Sequence, residues 1–206
     1  MTDFASDVGS ILSPEVEQDL RTFADLVLKW NQKINLISRS TAAEIWERHV
    51  LDSVQLWPLS SADSRVWVDI GSGGGFPGMV IAIIAKALRP QMRVVLVESD
   101  KRKAAFLIQA ARSVGVACDV RAERIEEVGD LGADVVSARA LAPLSELLGL
   151  GAKLGRPEAV MIFPKGERAQ DEIEHAMQEW HFQIAQVQSI TNPAASLVRI
   201  TNLRHV

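Results

Sequence analysis

The chain has one cysteine, no tyrosine and 5% aromatic residues in 206. A lone cysteine, Cys118, excludes an internal disulfide and leaves no cysteine set for zinc or an iron–sulfur cluster. The histidines His49, His175, His181 and His205 are scattered without metal-ligand spacing, so no metal site is expected. No run reaches the roughly 18 apolar residues of a membrane span, since the longest candidate is broken by Lys86 and Arg89. The opening MTDFASDVGS lacks a basic stretch followed by an apolar one, so no secretory signal is expected either. Positive charge is also short: 22 Lys and Arg stand against 26 Asp and Glu, for a formal net charge of -4. That balance argues against nucleic-acid binding through net charge alone. What is present is 48% hydrophobic and 23% charged residues, the make-up of a soluble cytoplasmic protein with one sizeable core.

The first 60 residues show helix signals and no strand signal. Ser13-Pro14-Glu15 supplies an N-cap, a proline at the first helical position and an acid in the first turn. Val16, Leu20, Phe23, Val27 and Trp30 then recur at helical spacing. Thr41-Ala42-Ala43-Glu44 fits a capping box and predicts a second helix through about Leu51. The first dozen residues match no pattern and are expected to be loose. Residues 1–60 therefore read as a helical cap, and 61–206 as the Rossmann-like domain it is appended to.

From Arg65 onward short apolar runs alternate with helical ones. Strands are expected at 66–70, 94–98, 117–121, 134–137 and 159–163, with helices at 77–88, 101–114, from Pro143, and at 167–180. Nearly all-apolar strands fit a parallel sheet covered on both faces. The last two strand-like runs, 182–187 and 197–203, have no helix between them and should pair antiparallel. The fold class is α/β: a Rossmann-like sheet, mostly parallel, with the last strand antiparallel and a small helical cap in front.

Asp69-Ile70-Gly71-Ser72-Gly73-Gly74-Gly75-Phe76-Pro77-Gly78 lies between the first strand and the helix after it, where open α/β sheets bind ligands. Glycines there let backbone N–H groups approach a ligand closely. Gly73, Gly75 and Gly78 satisfy G-x-G-x-x-G, and Glu98 follows 20 residues later, which suits a nicotinamide dinucleotide. An NAD(P)-dependent oxidoreductase is thus one reading. An S-adenosylmethionine enzyme is another, since Asp69 could hold the loop and reach the ammonium of a bound amino acid. The short chain and its antiparallel ending favour the second. Glu98 at the end of the second strand would accept from ribose hydroxyls in either.

Several groups of residues together carry a family likeness. They are Trp30-Asn31 with Ile34-Asn35-Leu36, Arg48-His49 with Asp52-Ser53, the Asp69–Gly78 loop, Val97-Glu98-Ser99 and Ser137-Ala138-Arg139-Ala140. Their order and spacing from about residue 26 to 166 resemble the ribosomal RNA small-subunit methyltransferase G family, also called glucose-inhibited division protein B. The resemblance implies a class I methyltransferase that methylates N7 of a guanine in 16S ribosomal RNA with S-adenosylmethionine. The substrate particle it implies is the small ribosomal subunit or an assembly intermediate. It carries cofactor contacts onto Gly71, Phe76, Ala122, Glu123 and Arg139, beside Gly73 and Glu98 from the loop argument. An S-adenosylmethionine enzyme with a non-RNA substrate is the alternative, although the Arg48-His49 and Asp52-Ser53 pairs are not generic methyltransferase features.

No catalytic acid or base is expected, because guanine N7 has a free lone pair and no proton. Ser137-Ala138-Arg139-Ala140 replaces the Asn/Asp-Pro-Pro-aromatic run common in enzymes that methylate exocyclic amines. Cys118 falls mid-strand and should be packed, not nucleophilic. Lys29, Lys33, Arg39, Arg48, Lys101, Arg102, Lys103 and Lys165 are candidate phosphate contacts. An ordinary solvated surface would carry similar charges. His49 is expected to be a hydrogen-bonded packing residue between cap and core.

Overall fold

The computed structural model describes residues 4–206. It opens with helix α1 (Phe4–Ile11) and helix α2 (Pro14–Asn31). Ser13 caps α2 by accepting from the Val16 N–H, a contact worth about 1 kcal/mol. Val16, Leu20, Phe23 and Val27 are buried, so the apolar stripe faces inward as its spacing requires. The start of the chain departs from the expected looseness. Val8 and Ile11 dock into the same core, and that burial holds an eight-residue helix too short to persist alone.

The expected capping box at Thr41 is absent. A single 3₁₀ turn (Ala42–Glu44) leads into a wide π-type turn (Trp46–Leu51) and a brief α segment, α3 (Asp52–Val54). The Thr41 hydroxyl caps nothing, because it is engaged with His49 and Ser38.

Seven strands form one sheet: β1 (Val66–Ile70), β2 (Arg93–Val97), β3 (Asp119–Arg121), β4 (Ala133–Ser137), β5 (Gly155–Lys165), β6 (Trp180–Gln188) and β7 (Ser196–His205). Their order is β3-β2-β1-β4-β5-β7-β6. The pairs β1–β2, β1–β4, β2–β3 and β4–β5 are parallel, while β7 runs antiparallel to both β5 and β6. Helices α4 (Gly78–Leu88), α5 (Lys101–Ser113), α6 (Leu144–Leu154) and α7 (Ala169–Ala176) connect the strands. The last helix is shorter than its pattern suggests. Trp180 instead starts β6, with its ring edge-on to His205 and its Nε1–H donating to Ser145 Oγ at 3.2 Å. Cys118 also differs from expectation, lying just before β3 and not in mid-strand. Burial first, and Asp119 second, push its thiol up to about 11, so it stays protonated and inert.

The sheet separates two cores. One cluster joins Leu20, Phe23 and Val27 of α2 to Met79 and Ile83 of α4 and to Phe106 of α5. The other fills the opposite face with Val68, Val97, Leu147, Leu148 and Phe163. The N-terminal helices therefore share a core with the sheet instead of building their own. No helix among the described residues is long and apolar enough to cross a membrane.

Candidate functional site

The strand order reverses between β1 and β4, so their carboxyl ends part and leave a crevice. A cavity of about 600 Å³ opens there. Its floor is the glycine loop, where Gly71, Gly73 and Gly75 all have positive φ, a conformation L side chains rarely adopt. Its roof is the loop after α2. A Cβ on Gly74 would come within 2.8 Å of the Leu36 carbonyl oxygen, so this glycine permits the roof to close down. Asn31 holds that roof by accepting the Leu36 and Ile37 N–H groups at 2.8 and 3.0 Å.

Beneath the loop lies a fully buried relay. Trp67 Nε1–H donates to Ser137 Oγ at 2.9 Å, and the Ser137 hydroxyl donates to Asp69 Oδ1 at 2.7 Å. The Gly78 N–H donates to Asp69 Oδ2 at 3.1 Å. Register makes this possible, since Asp69 and Ser137 are partners on adjacent strands. Burial raises the Asp69 pKa to about 6, with the hydrogen bonds opposing that shift. Asp69 thus holds the loop as expected. It does not reach a ligand: it is 0% exposed and absent from the cavity wall.

Glu98 closes the end of β2. Its Oε2 accepts the Gly73 N–H and its Oε1 the Asp100 N–H, both at 2.7 Å. Each oxygen keeps a second lone pair, and the side chain faces the cavity. That is the acceptor set for a vicinal ribose diol. With a Cβ-free loop beside it and a cavity of ligand-binding size, the residues fit a nucleoside bearing an amino acid, as S-adenosylmethionine is.

Gly71, Gly73, Phe76, Glu98 and Arg139 all line this cavity. Ala122 and Glu123 do not; they lie exposed just after β3, and Glu123 stands 4.0 Å from Arg121. At that edge the wall is made by Arg124, Ile125 and Glu126. Nothing in the spacing of residues points to these three, since the turn at Ile125–Glu127 only becomes a wall once β3 is in place.

Arg139 stands at the other end, after β4. Its guanidinium donates to the Arg48 carbonyl at 3.1 Å and to His49 Nδ1 at 2.7 Å, and sits 5.2 Å from the Phe76 ring centre. An arginine only donates, so Nδ1 is the acceptor and the imidazole proton is on Nε2. Nε2–H then donates to Thr41 Oγ1 at 2.7 Å. His49 links cap and core as expected, and with both nitrogens bonded it is a poor base. Burial, then Arg139 and Arg48, lower its pKa from 6.5 to about 4. Ala140, next along, has φ of 50°, an uncommon backbone state for a non-glycine residue and one that recurs at functional sites.

The His49 shift carries a pH signature. The folded state keeps the ring neutral, while the unfolded chain titrates near 6.5. The stability this confers is whole above pH 6.5 and is lost as pH falls toward 4. The raised Asp69 carboxyl acts in the opposite direction over the same window, so the signature lies in a comparison: between pH 7 and pH 5 the urea midpoint of the wild type should fall relative to that of His49→Gln. An unchanged slope in the variant would assign the drop to other groups.

A second cavity of about 520 Å³ adjoins the first. Thr41, His49, Arg139, Ala140 and Leu141 line both, forming a shared wall. Arg48, Lys165 and Arg168 border the second cavity, with Asp52 and Glu172 among them. Lys165 is buried and donates to Glu172 Oε2 at 2.7 Å. Of the other candidate cations, Lys103 lines the first cavity, while Lys29, Lys33, Arg39, Lys101 and Arg102 are exposed away from both. Arg102 is paired to Asp100 at 2.9 Å.

A family model described as rRNA small subunit methyltransferase G matches residues 16–200. The chain belongs to this family. The ribosomal RNA small subunit methyltransferase G of Cereibacter sphaeroides is 47% identical over 195 residues, 95% of this chain and 94% of the relative. That of Ruegeria pomeroyi is 44% identical over 195 residues, 95% of each. Among solved structures, an S-adenosylmethionine-dependent methyltransferase from Aquifex aeolicus aligns with a TM-score of 0.60 at 12% identity, covering 76% of this chain and 92% of that one. The N-methyltransferase NodS from Bradyrhizobium japonicum, in complex with S-adenosylhomocysteine, gives 0.55 at 15%, covering 85% and 96%. These two show the shared fold. Membership of the methyltransferase G family sets aside the nicotinamide oxidoreductase reading that the G-x-G-x-x-G spacing allowed.

Proposed function

We propose that this protein transfers a methyl group from S-adenosylmethionine to N7 of a guanine in 16S ribosomal RNA. Its substrate is the small ribosomal subunit or an assembly intermediate, in the cytoplasm. Within this reading residues 1–60 act as a helical cap over a methyltransferase domain, 61–206.

One observation carries the choice of atom. At the wall between the two cavities stand a permanently charged Arg139 and a neutral His49 with both ring nitrogens bonded. Neither can take up a proton at neutral pH, the nearest carboxylate, Asp52, stands back on the second cavity's side of Arg139, and N7 of guanine has no proton to give. An exocyclic amine would need a proton removed.

When bound, the cofactor supplies an electrophilic methyl group on its sulfonium. The chain's part is alignment and exclusion of water. Gly71, Gly73 and Glu98 fix the nucleoside end, and Phe76 and Arg139 bound the end nearest the shared wall. Contacts at Ala122 and Glu123 would require the segment after β3 to move inward on binding.

The test is methyl transfer from labelled S-adenosylmethionine to small subunits from cells lacking this protein, followed by nucleoside mass spectrometry. Label in 7-methylguanosine supports the reading. Label elsewhere, or none despite intact S-adenosylhomocysteine binding, moves the acceptor to another atom or substrate. Arg139→Ala should lower this transfer at least about 100-fold. The loss of its bonds to Arg48 and His49 should cost only about 1–3 kcal/mol of stability. A stability loss that accounts for the whole activity loss would make Arg139 a purely structural residue.

A further inference from the structure

The second cavity has a cationic border, and two carboxylates, Asp52 and Glu172, stand on its wall. Asp52 Oδ1 accepts the Thr191 hydroxyl at 3.0 Å. Oδ2 lies 3.8 Å from Arg139 Nη1, and among the described residues no donor is within hydrogen-bond reach of it. Glu172, the other carboxylate on this wall, is ion-paired with Lys165 at 2.7 Å and accepts the Leu144 N–H at 2.9 Å through the same oxygen, Oε2. Asp52 is the carboxylate beside Arg139, the residue common to both cavities, and so the one placed next to the shared wall.

A base that presents N7 to the shared wall turns its Watson–Crick edge away from that wall, into the second cavity. For guanine that edge carries two adjacent donors, N1–H and the 2-amino group. For adenine it carries the N1 lone pair and no 2-amino group. A carboxylate attracts the first and repels the second. Enzymes that act on a flipped base read it through this edge. Arg48 and Arg168, exposed at the border, are placed to meet the flanking phosphates.

We propose that the second cavity receives the flipped acceptor base and that Asp52 selects guanine by accepting its N1–H and 2-amino hydrogens. This rests on the N7-guanine reading above. It assigns Asp52 a specificity role separate from methyl transfer itself. Burial raises the Asp52 pKa, and Arg139, 3.8 Å away and common to both cavities, pulls it back toward the charged form, as does the Thr191 hydroxyl.

The experiment compares reconstituted small-subunit particles carrying guanosine or inosine at the methylated position. Inosine keeps N7 and N1–H and lacks only the 2-amino group. Wild-type enzyme should methylate inosine about ten- to a hundredfold less efficiently in kcat/KM, the range for one hydrogen bond to a charged acceptor. Asp52→Asn keeps an oxygen for Thr191 but can turn an amide donor toward the base. It should lose at least about 100-fold on guanosine. Its guanosine-to-inosine ratio should collapse toward one, with S-adenosylhomocysteine affinity within about twofold of wild type. Asp52→Glu, which restores the carboxylate, should recover part of the discrimination.

Equal rates on guanosine and inosine with the wild-type enzyme would overturn the proposal without recourse to any variant. So would an Asp52→Asn enzyme that is weak but keeps the full wild-type ratio, since a merely structural role lowers both substrates together. A wild-type enzyme that forms no 7-methylguanosine on the guanosine particle would instead remove the reading beneath it.

Discussion

Gly78→Ala should be the most damaging single-methyl change in the protein. A Cβ at this position would come 2.3 Å from Leu96 Cδ2, 2.6 Å from Asp69 Oδ2 and 2.8 Å from Asp69 Cβ. Leu96 can rotate its tip, but Asp69 is locked by Ser137 and by the Gly78 N–H itself. Helix α4 must therefore lift off β1, and the buried carboxylate then loses a donor. Overpacking of this kind costs about 3 kcal/mol or more. For a chain of this size that lowers the melting temperature by roughly 6–12 °C. A calorimetric scan within 2 °C or so of wild type would mean that α4 has more slack than the packing shows.

Gly73→Asp should do the opposite, sparing the fold and abolishing cofactor binding. A Cβ on Gly73 meets nothing closer than the Gly71 carbonyl oxygen at 3.7 Å. The φ of 53° is one that aspartate tolerates better than most residues. The loop should therefore form. What changes is charge, because the new carboxylate would lie beside Glu98, whose Oε2 is 2.7 Å from the Gly73 nitrogen. Two carboxylates in one corner repel each other and fill the space a ribose needs. Titration calorimetry with S-adenosylhomocysteine should show affinity lowered at least about 100-fold, with melting shifted only a few degrees. Retained affinity would place the nucleoside away from Glu98.

The contrast between these glycines shows what the sequence could and could not reveal. Strands β1, β2, β4 and β5 were legible because each is a short apolar run bounded by loop residues. The ligand end was legible because a glycine-rich turn follows the first strand. The same spacing was silent on which glycine serves packing and which serves the ligand. Asp69 was read as reaching for the ligand, yet it is sealed under the loop, because only the register with Ser137 reveals its partners. Helix α1 was missed because its stability comes from where Val8 and Ile11 dock, not from propensity. The second cavity was invisible for a related reason. Its wall gathers residues from four distant segments, around positions 41–52, 139–143, 164–172 and 191–195.

The capping motif at Thr41 failed instructively. Thr-x-x-Glu is a local signal, and a tertiary partner outbid it when the hydroxyl bonded to His49. The family likeness, by contrast, drew on residues spread over most of the chain, and the methyltransferase G model matches residues 16–200.

The π-type turn at Trp46–Leu51 has a consequence for descent. Such a turn accommodates one residue more than an α-helix of the same length. Deleting one residue from it would restore the tighter helix with the flanking chain in place, but would change the angular spacing between Arg48, His49 and Asp52. Arg48 and His49 could then no longer face Arg139 while Asp52 faced Thr191. A homologue shortened by one residue here would have to rebuild this whole corner, so chain length between Trp46 and Asp52 should vary less among active relatives than the identity of the residues that fill it.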